Sequence, residues 1–274
     1  MLIEINDDFD LRKIVMSGQC FRAKEIGRDR YLFITGDKAV TIEDAGGGSY
    51  SVSCDPAEWD TVWADYFDLQ RSYAELRSRH MNKNAFADQA ITYARGIRVL
   101  RQDPWETLVS FIISQRKSIP AIATAVETLC MRFGHVIDSP QGSLYSFPTV
   151  REMSGVSEAE LRECGLGYRS GYVLDAVKKV GEEEVRLEAL YDVPNQVLIS
   201  SLEMIHGVGK KVARCVALFA YGRTACVPID VWINRTIHDE WAGEDLFALY
   251  GGDAGIIQQY VFYYKRHLFR SHST

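Results

Sequence analysis

The segment Ile205-His206-Gly207-Val208-Gly209-Lys210-Lys211-Val212-Ala213-Arg214-Cys215 gathers residues fit to hold an anion. Gly207 and Gly209 are expected to take positive φ and to leave their N–H groups uncovered by side chains. Such N–H groups at the start of a helix sit at its positive end, a ready place for a phosphate. Lys210, Lys211 and Arg214 follow at once, and from Met204 to Ile229 there are four Lys/Arg and no Asp or Glu. Positioning these groups takes two helices. The mostly apolar run 197–205 can form the first. Val212, Ala213, Val216, Ala217 and Ala220 recur at helical spacing and form the second, which starts near Lys210. Joined by Gly-Val-Gly, the two predict a tight helical hairpin over residues 198–221. On these residues alone, a plain turn between two packed helices fits equally well.

The chain has 274 residues, enough for one large domain or two to three small ones. An apolar content of 47% and a charged content of 25% suit a globular protein, and no apolar run approaches a membrane span. The acidic start, residues 1–8, does not read as a signal peptide, so a cytoplasmic protein is expected. Cys20, Cys54, Cys130, Cys164, Cys215 and Cys226 form no CxxC pair, which argues against a metal site and for reduced thiols. The net charge of −6 sits poorly with nucleic-acid binding. The excess is local, however. Residues 1–75 carry 15 Asp/Glu against 8 Lys/Arg, whereas residues 76–274 carry 22 against 23. The larger part of the chain is free to present a basic face.

The periodicities predict an α+β chain: a small antiparallel β-rich domain over residues 1–80, then a mostly helical domain over 81–274. Residues 1–55 read as strands and turns, with 31–35 and 39–42 as a hairpin around Gly36-Asp37-Lys38 and 50–52 as a further strand. Asp55-Pro56 starts a helix. Asp103 before Pro104 caps a buried helix with no catalytic content. A helix over 119–133 follows, with Gly134 as its C′ residue. Residues 138–148 read as loop, with Pro140, Gly142 and Pro148. Ser157 and Glu160 form a capping box, and the helix they open stops at Gly165-Leu166-Gly167-Tyr168-Arg169. Asp230 precedes another helix and is a good N-cap for it. Gln258 and Phe262, one turn apart on a C-terminal helix, share a face.

The wider pattern is more specific. An apolar residue stands two before Gly-Val-Gly, an Ala four after it, and Val227-Pro228-Ile229-Asp230 lies some twenty residues on. This resembles the helix-hairpin-helix (HhH-GPD) DNA glycosylase superfamily. Ser17-Gly18-Gln19-Cys20-Phe21-Arg22 resembles its 8-oxoguanine DNA glycosylase/AP lyase branch, of bacterial type. The resemblance runs from Ser17 to Phe262. The scattered cysteines exclude the four-cysteine iron–sulfur cluster of the endonuclease III-type relatives.

That resemblance implies an enzyme that flips a damaged purine out of double-stranded DNA, excises it and nicks the abasic strand. Lys211 stands where the bifunctional members carry the lysine that attacks C1′ and forms a Schiff base. Asp230 stands at the aspartate that stabilises charge on the sugar or orients the nucleophile. The Gly18 carbonyl would accept from N7–H of the oxidised base, a proton that guanine lacks. Cys215 would touch the flipped base, Gln258 would read its Watson–Crick edge, and Phe262 would stack on it. Gly207, Gly209 and Lys210 would hold the backbone. Arg116 would fill the gap, Tyr168 would wedge the duplex, and Arg169 would meet the orphaned partner. The resemblance requires no cofactor, allows a monovalent cation at the hairpin carbonyls, and implies a monomer with no membrane partner.

Two features depart from the branch. Paired asparagines usually follow the Ser of the segment that here reads Ser114-Gln115-Arg116-Lys117-Ser118, and the arginine that helps hold cytosine is replaced by Ala121. The clamp on cytosine opposite the lesion is therefore expected to be incomplete. Two other readings compete. One is an alkyl-purine DNA glycosylase of the same fold, against which Lys211 and Gln258 speak. The other is a non-catalytic DNA-binding module that uses the hairpin only for phosphates, against which Lys211 together with Asp230 speaks.

Overall fold

The computed structural model describes residues 1–139 and 142–271. Strands β1 (Leu2–Glu4), β2 (Lys24–Gly27), β3 (Arg30–Thr35), β4 (Lys38–Gly46) and β5 (Ser49–Val52) form one antiparallel sheet in the order β1-β5-β4-β3-β2. The β3–β4 hairpin closes with Thr35 opposite Lys38, so Gly36 and Asp37 alone make the turn, Gly36 at φ +53°. Phe33, Val40, Ile42 and Tyr50 pack with Trp63 and Phe67 in the core of this section. Residues 1–55 are not strands and turns alone. Leu11–Met16 is a helix capped by Asp10, whose side chain accepts from the Lys13 N–H. Six residues are too few to show a helical period, and the cap was the one readable signal.

The helical body shares one core that runs from Tyr73 to Val261. At its centre lies Pro104–Ile113, capped by Asp103 as expected, with every residue from Trp105 onward buried. It packs on the helix Lys210–Phe219. The helix Ile119–Phe133 ends at Gly134, but Gly134 has φ −80° and is not left-handed. A Cβ there would stand 2.1 Å from the Ser146 carbonyl oxygen, so glycine is required for close backbone approach, not for handedness. That approach belongs to a small strand pair, β6 (Val136–Ile137) with β7 (Leu144–Tyr145), which replaces part of the expected loop. Pro140 lies outside the described residues. The capping box at Ser157 and Glu160 is present.

Buried polar bonds seat the segment 17–22 against this body. Gln19 donates to the Arg98 carbonyl and accepts from the Leu100 N–H, and Gln102 donates to the Gln19 carbonyl. Gln259 donates to the Ser17 carbonyl. Arg22 pairs with Glu106 at 3.1 Å with both side chains buried. Removing one partner of such a pair leaves an uncompensated buried charge, a cost of about 3–5 kcal/mol. The position of Gly18 is thus fixed from both sides. Among the described residues no helix is long and apolar enough to cross a membrane.

Candidate active site

The hairpin consists of Asn195–Glu203 and Lys210–Phe219. Gly207, between them, has φ +83°, and a Cβ there would lie 2.3 Å from the Tyr172 ring. Gly209 does not share this conformation. It has φ −99° and ψ −179°, extended backbone that any residue adopts, and it is the N-cap of the second helix. Among the described residues nothing lies within 4 Å of a Cβ built on it. Its contribution is an uncovered helix start rather than a left-handed turn. Gln115 holds the loop by donating to the Gly207 carbonyl at 3.0 Å. Lys210, the first residue of the second helix, is exposed.

Lys211 points to the other side. It lines a cavity of about 700 Å³ together with Gly18, Arg116, Cys215, Asp230, Gln258 and Phe262. Residues nearly 250 positions apart in the chain meet there. The Lys211 ammonium sits 5.1 Å from the centre of the Phe111 ring, and Cys215 follows one turn on along the same helix. Burial pushes the Cys215 thiol up, and Lys211 pulls it back. Phe111 stacks on Phe219, ring centres 5.4 Å apart, to make an apolar wall.

Asp230 caps Val231–Glu240. Its Oδ1 accepts from the Trp232 and Ile233 N–H groups, both at 2.9 Å. The cap uses one oxygen only, so capping and chemistry are compatible in one side chain. Burial raises the Asp230 pKa, opposed by the Ile233 N–H, Lys211 and the Trp232 N–H. Across the cavity Gln258 is 3% exposed, and its Oε1 has no hydrogen-bond partner among the described residues. Buried amide oxygens are normally satisfied, so an orphan in a cavity wall marks a place for a donor. Gly18 has φ +80°, and a Cβ there would meet the Ile119 Cδ1 at 2.6 Å and the Phe262 ring at 3.4 Å. Only glycine brings backbone this close to the ring.

At the rim, Arg116 is exposed and left-handed at φ +52°. Asparagine tolerates that region far better than arginine. Lys117 donates to the Gly165 carbonyl at 2.7 Å. Tyr168 projects, 48% exposed. Arg169 turns inward: Nε and Nη2 donate to the Gln115 carbonyl, Nη1 donates to the Leu166 carbonyl, and its guanidinium lies 4.4 Å from the Tyr168 ring centre. Tyr168, Arg169, Gly207, Gly209 and Lys210 lie outside the cavity lining.

Phe111, Phe219, Trp232 and Arg266 are among the lining residues that had not been singled out. The helix carrying Phe111 was expected to be core without site content. It is core, and the same ring is also cavity wall. Nothing in an all-apolar run distinguishes such a ring. Arg266, by contrast, follows Phe262 by one turn and was readable from the same spacing. Among the described residues no group of three or more His, Cys, Asp or Glu could hold a metal ion.

Comparison with known proteins places this geometry among base-excision enzymes. Residues 1–108 match the family model for the 8-oxoguanine DNA glycosylase, N-terminal domain, and residues 109–245 match that for the HhH-GPD superfamily base excision DNA repair protein. The N-glycosylase/DNA lyase OGG1 of Arabidopsis thaliana is 33% identical over 227 residues, covering 79% of this chain and 62% of that protein. The chain thus spans less than two thirds of that relative's length. The structure of MBOgg1 in complex with a low affinity DNA ligand superposes with a TM-score of 0.93 at 34% identity, covering 98% of this chain and 96% of that one. The 8-oxoguanine glycosylase/lyase of Clostridium acetobutylicum, in complex with double-stranded DNA containing cytosine opposite 8-oxoG, gives 0.90 at 29% identity over 98% of each chain.

Proposed function

Because the chain belongs to the HhH-GPD superfamily of base excision DNA repair proteins, with the N-terminal domain of the 8-oxoguanine DNA glycosylases, we propose that it excises 8-oxoguanine from double-stranded DNA and nicks the abasic strand. The convergence of Gly18, Lys211, Cys215, Asp230, Gln258 and Phe262 on one cavity carries this reading. A base inside a duplex is unreachable at C1′, so it is flipped out at a cost of roughly a few kcal/mol. Phosphate binding at the hairpin and the wedge at Tyr168 offset that cost. The neutral amine of Lys211 attacks C1′ as the N-glycosidic bond breaks and the base leaves with its electron pair. Asp230 stabilises the positive charge that builds on the sugar. Opening of the sugar ring gives the imine. Loss of the 2′ proton then expels the 3′ phosphate by β-elimination, which cuts the strand. Gly18, Cys215, Gln258 and Phe262 select the base.

An end-labelled duplex with a single 8-oxoguanine tests this. The enzyme should release the base and cut the strand without added alkali. Release of alkylated purines in preference to 8-oxoguanine, with no cutting, would favour the alkyl-purine reading instead.

We assign Lys210, Gly207 and Gly209 to backbone phosphates. Each phosphate neutralised on B-DNA adds about −0.9 to the slope of log K against log salt. Lys210→Ala should therefore flatten that slope by roughly one unit for every sequence alike. An unchanged slope removes Lys210 from the phosphate contacts. The protein acts as a monomer in the cytoplasm. A monovalent cation at the hairpin is part of the same reading. The Ile205 and Gly207 carbonyls already accept from Val208 and Gln115, and each oxygen keeps a second lone pair to share with an ion.

The opposite base should be read loosely. Ala121 is exposed and offers no donor, the Arg169 donors are engaged with the Gln115 and Leu166 carbonyls, and Arg116 alone is free to reach the partner strand. A clamp rejects wrong partners by leaving buried polar groups unpaired, and an exposed arginine does this weakly. Excision opposite cytosine should exceed that opposite thymine, guanine or adenine by no more than about tenfold, or about 1.4 kcal/mol. Single-turnover excision from four duplexes measures this. A preference of about a thousandfold, or about 4 kcal/mol, would show that Arg116 and Arg169 suffice as a clamp.

A further inference from the structure

Gln258, Phe262, Arg266 and Arg270 recur one turn apart on the C-terminal helix Ala254–Ser271, and all four line the cavity. Gln258 is buried, Phe262 and Arg266 are half-buried, and Arg270 is exposed, so the stripe climbs from the cavity floor to its mouth. The reading above uses Gln258 and Phe262 for the base and leaves Arg266 without a task. The Arg266 guanidinium lies 5.1 Å from the centre of the Phe262 ring. Its Nη1 stands 3.3 Å from where a Cβ on Gly18 would be. That Nη1 is buried and has no hydrogen-bond partner among the described residues.

A buried, unpaired nitrogen is an unusual state for a charged group, since arginine is almost never buried unless paired. Among the described residues it forms no ion pair. Burial and the like charge of Arg270 pull its pKa down to about 10, and the carboxylate acting on it from the opposite direction is Asp230. Asp230 is already committed to its helix cap and, in the proposed reaction, to the sugar. Two guanidinium groups therefore meet at the cavity mouth with too little negative charge of the protein's own.

We propose that Arg266 is a positioning residue, whose buried Nη1 binds a phosphate next to the flipped nucleotide at the mouth of the cavity. This rests on the reading that the cavity receives a nucleotide. With the base on the floor beside Gln258, the sugar and its phosphates stand at the mouth, level with Arg266. The phosphodiester is the anion that such a nucleotide carries, and the planar guanidinium fork matches it. Gripping that phosphate fixes C1′ against Lys211 and Asp230, where small displacements are costly in rate. Without a phosphate, a partly buried guanidinium with an unpaired nitrogen costs stability.

The test compares wild type with Arg266→Met and Arg266→Lys. Each binds a duplex with a tetrahydrofuran abasic analogue across a salt series. Each also binds the same duplex with a neutral methylphosphonate in place of one flanking phosphate, then the other. Arg266→Met should bind the charged duplex about tenfold more weakly, with a salt slope shallower by about 0.9. On one of the two methylphosphonate duplexes the variant and wild type should bind alike. Arg266→Lys should keep the slope and recover part of the affinity. The melting temperature of Arg266→Met should equal or exceed that of wild type, because the change removes an unpaired buried charge. Equal losses on the charged and on both neutral duplexes would overturn the proposal, as would a lowered melting temperature with unchanged DNA binding. A loss that appears only with 8-oxoguanine in place of the abasic analogue would mean that the guanidinium reads the base, and would also overturn it. In all these cases wild type still prefers lesion DNA. A wild type that shows no such preference would sink the functional reading itself, and this proposal with it.

Discussion

Lys211→Gln should abolish base excision and covalent trapping while lesion-DNA binding survives. Glutamine keeps a polar, unbranched side chain one atom shorter but has no nucleophilic amine. Among the described residues Lys211 forms no ion pair, and its ammonium lies against the Phe111 ring, so its removal should spare the fold. The loss should reach about four orders of magnitude in single-turnover rate, or about 5.4 kcal/mol. Lys210 is the competing amine. It is exposed at the hairpin and lies outside the cavity lining, whereas Lys211 lies inside it. A Lys211→Gln protein that still forms a borohydride-stable adduct would transfer the nucleophile's role to Lys210 or another amine.

Asp230→Asn should slow excision about a hundredfold to a thousandfold, the range for removing one group that stabilises transition-state charge. Lesion-DNA affinity should change little. Asparagine is as good an N-cap as aspartate, so the helix Val231–Glu240 should persist. Stability should not fall. Burial raises the Asp230 pKa above its ordinary value, so folding favours the protonated form. A raised carboxyl contributes stability that is present below its ordinary pKa and is lost as pH rises through the raised one. At neutral pH the ionised group is therefore a liability, and the Asn variant should melt at or above the wild-type temperature. Its advantage should shrink as pH is lowered through the raised value. The wild-type excision rate should decline over the same acid range as the carboxylate protonates. A drop in melting temperature that parallels the loss of activity would reduce Asp230 to a cap.

The hairpin could be read because its chemistry is contiguous: turn glycines, basic residues and the apolar repeat lie within one short stretch. Which glycine needs positive φ could not be read, because the decision rests on Tyr172, far back in the chain, against Gly207. The helix end at Gly134 was legible, but the reason glycine is needed there was not, since the Ser146 carbonyl that forbids a Cβ belongs to a later turn of chain. Local caps at Asp103 and Ser157 were legible because donor and acceptor are neighbours in sequence. Leu11–Met16 was too short to show its period. The meeting of Gly18 with Phe262 across the cavity could be expected only through a family resemblance, since no spacing links residues so far apart. Phe111 shows the limit from the other side: an apolar cavity wall made from core residues has the same composition as core.

Reductive trapping bears most directly on the central claim, that Lys211 attacks the sugar beneath a flipped 8-oxoguanine. Wild-type protein is incubated with borohydride and a duplex bearing one 8-oxoguanine, and the adduct is digested and mapped by mass spectrometry. The expected result is a stable protein–DNA adduct carried on Lys211, absent from the matching duplex with guanine. Release of 8-oxoguanine without any adduct, or an adduct mapped to another residue, would contradict the account.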